Sequence, residues 1–98
     1  MARFDVCRLT DGNLVVDVQA DLLEELRTRI VIPLLKFDQA PKPAKYLNPV
    51  FEIDAQQYVL KTEFLSAVDK ALLSKPIMNL GAKDTDITRA LDMAFQGF

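Results

Sequence analysis

A nearly continuous apolar run, Ile30 to Leu35, constrains the fold of this chain more than any other segment. The run is rich in β-branched residues, and such a run is typical of a strand that is buried on both faces. Pro33 lies inside it and has no N–H to donate to a neighbouring strand, so we expect this residue at a sheet edge or at a bulge. The run therefore predicts a buried strand in a β-rich protein.

Two segments before this run predict a β-hairpin. Apolar and polar residues alternate over residues 3–9 and again over residues 14–19, and the second segment has one apolar face. Asp11-Gly12 lies between the two segments, and this dipeptide is a strong hairpin signal because both residue types tolerate positive φ. We expect the two strands to pair antiparallel.

Residues 21–28, 50–62 and 64–82 differ in how clearly the sequence predicts their structure. Residues 21–28 predict a short helical turn or an ordered loop, with Asp21 as its N-cap. Residues 50–53 and 57–62 predict two strands joined by a hairpin. For residues 64–82, both a helix and a strand remain open.

The clearest helix prediction lies at the C-terminus. Asp84 or Thr85 suits the N-cap, and Gly97 suits the helix end. Apolar residues at helical spacing predict one stripe that packs on the sheet: Ile87, Leu91, Ala94, Phe95 and Phe98. Phe95 continues the stripe and is predicted to lie in the core. Phe98 has no obvious core to join, which favours a partner or dimer interface.

The charge distribution argues against contact with nucleic acid or membrane. The formal net charge is −2, and twelve basic residues are interspersed with fourteen acidic ones, so no basic face replaces the counterions of a polyanion. The loosest basic stretch, Lys36 to Lys45, is proline-rich and is interpreted as a solvated loop. No apolar run approaches the ~18 residues that span a bilayer, and no secretory signal is evident. We expect a cytoplasmic protein.

The chain lacks the residues on which most catalytic sites depend. There is no histidine, which removes the commonest general base and the commonest metal ligand. Cys7 is the single cysteine and is interpreted as a small apolar residue rather than a nucleophile. The candidate carboxylate pairs are Asp17 with Asp21 and Glu52 with Asp54, and these are interpreted as solvent-facing or capping residues. We therefore expect no enzyme, no cofactor and no metal.

Three segments in combination resemble the CcdB family of plasmid-type toxins. They are Val15 to Leu23, which contains Val-Asp-Val-Gln-Ala-Asp, Arg29 to Leu34, which contains Val-Ile-Pro-Leu, and the C-terminal Asp86 to Phe98. Residues 64–82 are only loosely similar. The resemblance implies a mostly β fold over residues 1–98: a small, SH3-like antiparallel barrel of the CcdB/MazF type with a C-terminal helix, forming a homodimer.

The resemblance also implies a function that depends on binding. The family's toxin dimer lodges in the breakage–reunion domain of the DNA gyrase A subunit, where it traps gyrase on cleaved DNA. A CcdA-like antitoxin with a disordered acidic arm neutralises it and contacts the region near the first hairpin, here Arg8 to Asn13. Carried over by position, the implied gyrase-binding residues are Leu22, Leu23, Asp92, Phe95, Gln96, Gly97 and Phe98.

Three of these positions depart from the family pattern. Gln96 stands where the family has Trp, Asp92 where it has Asn, and Phe98 where it has Ile. A Trp→Gln change at a buried hot spot costs ~2–4 kcal/mol of binding free energy. Two alternatives therefore stay open. One is a CcdB-like protein that binds antitoxin but has lost gyrase poisoning, and the other is a MazF-like ribonuclease using Arg27 or Arg29.

Overall fold

The computed structural model describes residues 2–97 and shows a mostly β protein with a curled antiparallel sheet and one C-terminal helix. The strands in this range are β1 Asp5–Arg8, β2 Leu14–Asp17, β3 Thr28–Lys36, β4 Val50–Ile53, β5 Gln56–Leu60, β6 Ser66–Asp69 and β7 Met78–Asn79. Helix α1 spans Asp84–Gln96. Short 3-10 turns lie at Asp21–Leu23, Phe37–Gln39, Thr62–Phe64, Lys70–Leu72 and Gly81–Lys83. The prediction of a mostly β, antiparallel fold with one C-terminal helix is confirmed.

Strand β3, the apolar run, is central in a sheet with the order β4-β5-β3-β2-β1-β7. One edge of β3 pairs with β2. The other edge pairs with β6 over residues 28–31 and with β5 over residues 34–36. Pro33 lies in the gap between these two partners, where a missing N–H removes no ladder hydrogen bond, and its carbonyl accepts from the Lys61 N–H at 2.9 Å. The proline therefore sits at a change of partner strand in the middle of the sheet rather than at a sheet edge.

Both faces of β2 are buried, which differs from the single apolar face that the alternation predicts. The main core lies between the sheet and α1 and includes Val6, Val16, Ile32, Leu60, Ile87 and Ala90. The second core lies on the opposite face and consists of Cys7, Val15 and Val31, with Leu9, Val68 and Leu73 packed against it. The segment from residue 66 to residue 73 supplies most of that cover, so it closes the face that the sequence pattern left exposed.

For residues 64–82, where both a helix and a strand remained open, the structure shows short strands and 3-10 turns rather than an α-helix. The strands in this segment are β6 and β7, and a 3-10 turn follows β6 at Lys70–Leu72. The Asp69 side chain caps this turn by accepting the Ala71 N–H at 2.8 Å. Elements this short span too few residues for a period to be measured, which is why the pattern did not identify them.

Both predicted hairpins are present, and their turns use left-handed backbone. Gly12 has a φ of 90°, while Asp54 and Ala55 have φ values of 52° and 65°. Two consecutive left-handed residues match the right-handed twist of the flanking strands, so the β4–β5 connection is tight. Bounds 50–53 of β4 agree with the prediction.

Helix α1 ends where the sequence predicts but begins differently. Gly97 adopts a φ of 79° and its N–H donates to the Met93 carbonyl at 3.0 Å, which is the left-handed C-cap that glycine favours. The N-cap is Lys83, without a side-chain cap, rather than Asp84 or Thr85.

The apolar stripe of α1 is buried only in its first half. Ile87 is buried and Leu91 is half-buried, whereas Ala94 is exposed. The prediction that Phe95 belongs to the core is wrong, because this side chain is 70% exposed. The last helical turn thus offers its apolar side to solvent rather than to the sheet.

A buried asparagine fastens the proline-rich loop to the turn after β5. The Asn48 Nδ2 atom donates to the Leu60 carbonyl at 3.0 Å and to Glu63 Oε1 at 2.8 Å. Its Oδ1 atom accepts the Ala44 N–H at 3.0 Å, which closes the turn at residues 44–48. Glu63 is further held by Lys61, whose Nζ atom lies 2.9 Å from Glu63 Oε2.

Glu63 gives this cluster a pH dependence. Burial raises the pKa of Glu63, but hydrogen bonds from Lys61 and Asn48 together lower the pKa more, so the net pKa lies below the ordinary value. A carboxyl of this kind stabilises the fold above its unfolded pKa and loses that effect as pH falls through its folded pKa. Since the Glu63 side chain is 37% exposed, solvent screening keeps the effect under about 1 kcal/mol.

We therefore expect Glu63→Gln to lower the free energy of unfolding at pH 7 by less than about 1 kcal/mol. The difference from wild type should shrink as pH falls from about 5 towards 3, measured by urea denaturation at each pH. Glu52→Gln is the matched control, because Glu52 is an exposed strand residue. A Glu63→Gln deficit that persists unchanged at low pH would contradict this account.

Candidate functional site

The predicted partner-binding residues fall on two elements. The 3-10 turn after β2 carries Leu22 and Leu23, and the C-terminal part of α1 with its cap carries Asp92, Phe95, Gln96 and Gly97. Phe98 lies outside the described residues. Each element brings its own members together, and no hydrogen bond or ion pair within residues 2–97 joins one group to the other.

Leu22 and Phe95 have the largest exposed fractions among the large hydrophobic side chains of the described range. Leu22 is 96% exposed and Phe95 is 70% exposed, while Leu23 is 46% exposed. A single exposed apolar side chain is ordinary, but two such exposures at positions that the family resemblance assigns to partner contact are not. Burying such side chains against a partner yields roughly 25 cal/mol for each Å² removed from water.

A buried polar network shapes the loop that carries Leu22. Gln19 is only 3% exposed, and its Nε2 atom donates to the Leu23 carbonyl at 2.9 Å. The Oε1 atom of the same side chain accepts the Ile30 N–H at 3.2 Å. Asp17 Oδ1 accepts the Gln19 N–H at 2.9 Å, and this hydrogen bond holds the backbone where the loop begins.

The network ends in a fully buried ion pair. Arg29 Nε lies 2.6 Å from Asp17 Oδ2, and both side chains are 0% exposed. The prediction that Asp17 faces solvent is wrong, because the segment that follows β5 closes the second face of the sheet over it. The Nη1 and Nη2 atoms of Arg29 are buried and have no hydrogen-bond partner within residues 2–97. A buried pair of this kind makes either charge costly to remove alone.

The loop is also held from outside. Asp21 was predicted to cap the turn, but the N-cap is Ala20, and Asp21 Oδ1 instead accepts the Arg3 N–H at 2.8 Å. On the far side, Lys70 Nζ donates to the Glu24 carbonyl at 2.9 Å. The exposed Leu22 therefore projects from a loop that is tied at several points.

The two arginines of the ribonuclease alternative lie in different environments. Arg29 is sealed within the ion pair and has no access to a substrate. Arg27 has a 91% exposed side chain, and its Nη2 atom lies 3.8 Å from Asp69 Oδ2. Of the two arginines, Arg27 alone is therefore accessible to polarise a ribonuclease substrate.

The remaining candidate groups lie apart from this surface. Cys7 is buried, and burial, followed by the charges of Asp5 and Asp17, raises the pKa of its thiol to about 11, which keeps it protonated at neutral pH. Glu52 and Asp54 are exposed, as predicted. Within residues 2–97, no three Cys, Asp or Glu side chains are grouped to hold a metal ion. No helix in that range has the length and apolarity to cross a membrane.

Sequence reasoning missed the residues that support the loop. Gln19 and Asp17 looked like the polar face of a half-exposed strand, although they lie inside the protein. One signal was available: Arg29 directly precedes the run predicted to be buried on both faces, and a buried arginine requires a buried acceptor.

The fold and this surface define a small, mostly β protein whose candidate site is an area of contact with another macromolecule. A family model described as CcdB protein matches residues 3–97. The chain belongs to the CcdB family, and this membership indicates the toxin of a toxin–antitoxin pair. The match spans both the loop with Leu22 and the helix with Phe95.

Proposed function

We propose that this protein is the toxin of a type II toxin–antitoxin system that binds the A subunit of DNA gyrase and traps the gyrase–DNA cleavage complex. It acts as a cytoplasmic homodimer of one toxin domain over residues 1–98, contributes to plasmid maintenance, and is neutralised by a CcdA-like antitoxin. It is a topoisomerase poison that works by binding rather than by catalysis, with no cofactor and no direct contact with nucleic acid or membrane.

The exposure of Leu22 and Phe95 is the observation that carries this proposal. Interface hot spots are large side chains that become fully desolvated on binding, and they are most effective when the free protein already holds them in place. Gln19 holds the loop of Leu22 through two hydrogen bonds, and Gly97 closes the helix that carries Phe95. Little ordering is therefore required when a partner covers them.

The apolar composition of the chain supports the proposed homodimer. Half of the residues are hydrophobic, and a domain of this size has a thin core, so part of the apolar surface is available for a subunit interface. A two-fold axis duplicates every contact residue, so two copies of the loop and of the helix end are offered together.

The test is calorimetric titration of the full-length protein into the gyrase A breakage–reunion domain, with and without residues 96–98. The proposal expects binding by the full chain and its loss on truncation, because the truncation removes Gln96, Gly97 and Phe98. Capture of a CcdA-type peptide by the truncated protein verifies that it is folded. Unchanged affinity after truncation would overturn the proposed contact site.

A second function is favoured by the residues at two contact positions. Gln96 and Asp92 replace the Trp and Asn of the family pattern, so the surface offers less apolar area than the family's. A protein that binds antitoxin but not gyrase would act as a sink for the antitoxin of another toxin. Strong growth arrest on expression would count against this function, whereas antitoxin binding without gyrase binding would support it.

A further inference from the structure

The loop between β2 and β3 has no apolar anchor of its own. Every residue from 20 to 28 is exposed, so no side chain in this range is buried in either core. A segment with few buried apolar contacts opens at a low cost in free energy unless other interactions hold it. The position of Leu22 therefore depends on the hydrogen bonds that fasten this loop to the rest of the protein.

The Leu23 carbonyl is the point where the loop is joined to the protein interior. It accepts the Leu26 N–H at 3.1 Å, which closes a turn within the loop. It also accepts a hydrogen bond from Gln19 Nε2 at 2.9 Å, and the Gln19 side chain lies inside the fold. The same carbonyl thus takes part in the loop's own turn and in a contact with a buried amide.

The other end of the Gln19 amide replaces a backbone partner at the end of the β2–β3 ladder. A hydrogen-bonded antiparallel pair exchanges two N–H···O bonds. Beyond the last residues of the ladder, the Val18 N–H donates to the Ile30 carbonyl at 2.9 Å, but the Ile30 N–H donates to Gln19 Oε1 at 3.2 Å. One amide therefore accepts from β3 and donates to the loop, and so it bridges the two.

Neighbouring groups fix the orientation of this amide. Its oxygen faces an N–H donor and its nitrogen faces a carbonyl acceptor, so the reversed orientation would bring like groups together. Asp17 Oδ1 accepts the Gln19 N–H, and Arg29 binds the other oxygen of the same carboxylate. Both the backbone and the side chain of Gln19 are thus constrained where the loop begins.

We propose that Gln19 is a positioning residue for the partner contact made by Leu22. Gln19 is buried and touches no partner itself. It acts by holding the Leu23 carbonyl, so that the neighbouring Leu22 side chain is presented before a partner arrives. An anchor that is already in place loses less conformational entropy on association. This inference rests on the proposed function, in which Leu22 contacts gyrase A.

Gln19→Glu separates the two hydrogen bonds of the amide. The introduced carboxyl group keeps an acceptor for the Ile30 N–H, but in its ionised form it offers no donor to the Leu23 carbonyl. In its protonated form an O–H donor is restored. Burial raises the pKa of such a carboxyl above the ordinary ~4.3, and the nearby charges of Asp17 and Arg29 oppose one another. The loop should therefore be held at low pH and released as pH rises.

Hydrogen exchange tests this expectation without a partner. In Gln19→Glu, the protection of the Leu26 amide relative to wild type should fall about 10-fold at pH 9 and less than about threefold at pH 5. Gln57→Glu is the matched control, because it makes the same change at an exposed glutamine of β5, and it should leave this protection unaltered at both pH values. Thermal melts at each pH establish that the variants are folded.

Calorimetry with the gyrase A breakage–reunion domain tests the link to binding. Gln19→Met keeps the length of the side chain and removes both amide hydrogen bonds. It should weaken binding about 10-fold in an otherwise wild-type chain, and less than about threefold when Leu22→Ala is already present. The affinity of Gln19→Glu relative to wild type should fall as pH rises, in parallel with the exchange data. A purely structural loss of stability would produce neither the non-additivity nor this pH profile.

The possible results distinguish this inference from the proposed function. Unaltered loop protection in both Gln19 variants would overturn the positioning role, whichever partner binds. Equal losses from Gln19→Met with and without Leu22→Ala would also overturn it, since Gln19 would not then act through Leu22. Absence of gyrase binding by the wild-type chain would instead overturn the proposed function, and the exchange data would still decide whether Gln19 positions the loop.

Discussion

Arg29→Met should lower the free energy of unfolding by about 3–5 kcal/mol, a large share of the ~5–15 kcal/mol that stabilises a domain of ordinary size. The substitution keeps an unbranched, apolar side chain in the buried space. It nevertheless leaves the carboxylate of Asp17, which is 0% exposed, without its counter-charge. An uncompensated buried charge is costly because desolvation is no longer offset by the ion pair. Urea denaturation at neutral pH measures the loss.

The exposed arginine of the same strand region provides the control. Arg27→Met removes the same charge, but Arg27 is 91% exposed and lies 3.8 Å from Asp69, so we expect a cost below about 1 kcal/mol. The double variant Asp17→Asn with Arg29→Met should recover part of the loss, because it removes both charges and the introduced amide oxygen still accepts the Gln19 N–H. Equal costs for Arg27→Met and Arg29→Met would show that the ion pair is not the cause.

This ion pair connects the stability of the fold to the shape of the candidate site. Asp17 receives both the Arg29 guanidinium and the Gln19 N–H, one on each carboxylate oxygen. Gln19 in turn holds the carbonyl of Leu23, next to the exposed Leu22. Three hydrogen bonds therefore connect Arg29 to the loop, through Asp17 and Gln19 to Leu23.

The elements that were predicted correctly are those whose signals lie within a few neighbouring residues. The β4–β5 hairpin has a short connection between two alternating segments, and its strand at residues 50–53 has the predicted bounds. Helix α1 has a long apolar period and a glycine at its end, and both are local features. The same reasoning identified β3 from its composition, because a short apolar run rich in β-branched residues is typical of a buried strand.

The features that were mispredicted or missed depend on contacts between distant segments. Whether Asp17 faces solvent is decided by the segment that follows β5, about fifty residues later, which covers the second face of the sheet. The pairing of Tyr46 with Arg89 joins the proline-rich loop to α1 and has no local signature. Phe95 fits the helical period, but the period does not predict how many turns of the helix pack against the sheet. Burial at these positions is a property of the assembled fold.

Phe95→Ala should weaken binding to the gyrase A breakage–reunion domain by ~30- to 800-fold, which corresponds to ~2–4 kcal/mol. The residue is 70% exposed in the last turn of α1, so its truncation removes apolar contact area without opening a cavity in the core. With Gln96 in place of the family's Trp, Phe95 is the large aromatic side chain of the described contact surface. We therefore expect it to carry a hot spot's share of the binding free energy, measured by calorimetry.

Phe64→Ala is the matched control for this prediction, because Phe64 is also a solvent-exposed phenylalanine, at 59%, but lies in the 3-10 turn after β5. Its removal should change gyrase affinity less than about threefold, as expected for a side chain outside the interface. Thermal stability of the Phe95→Ala variant should be close to that of wild type, since the side chain is 70% exposed, and this separates lost binding from lost folding. If both variants bind as wild type does, the helix end is not the gyrase contact. If both lose affinity equally, general surface hydrophobicity rather than a defined hot spot drives association, because only a localised contact distinguishes two phenylalanines of similar exposure.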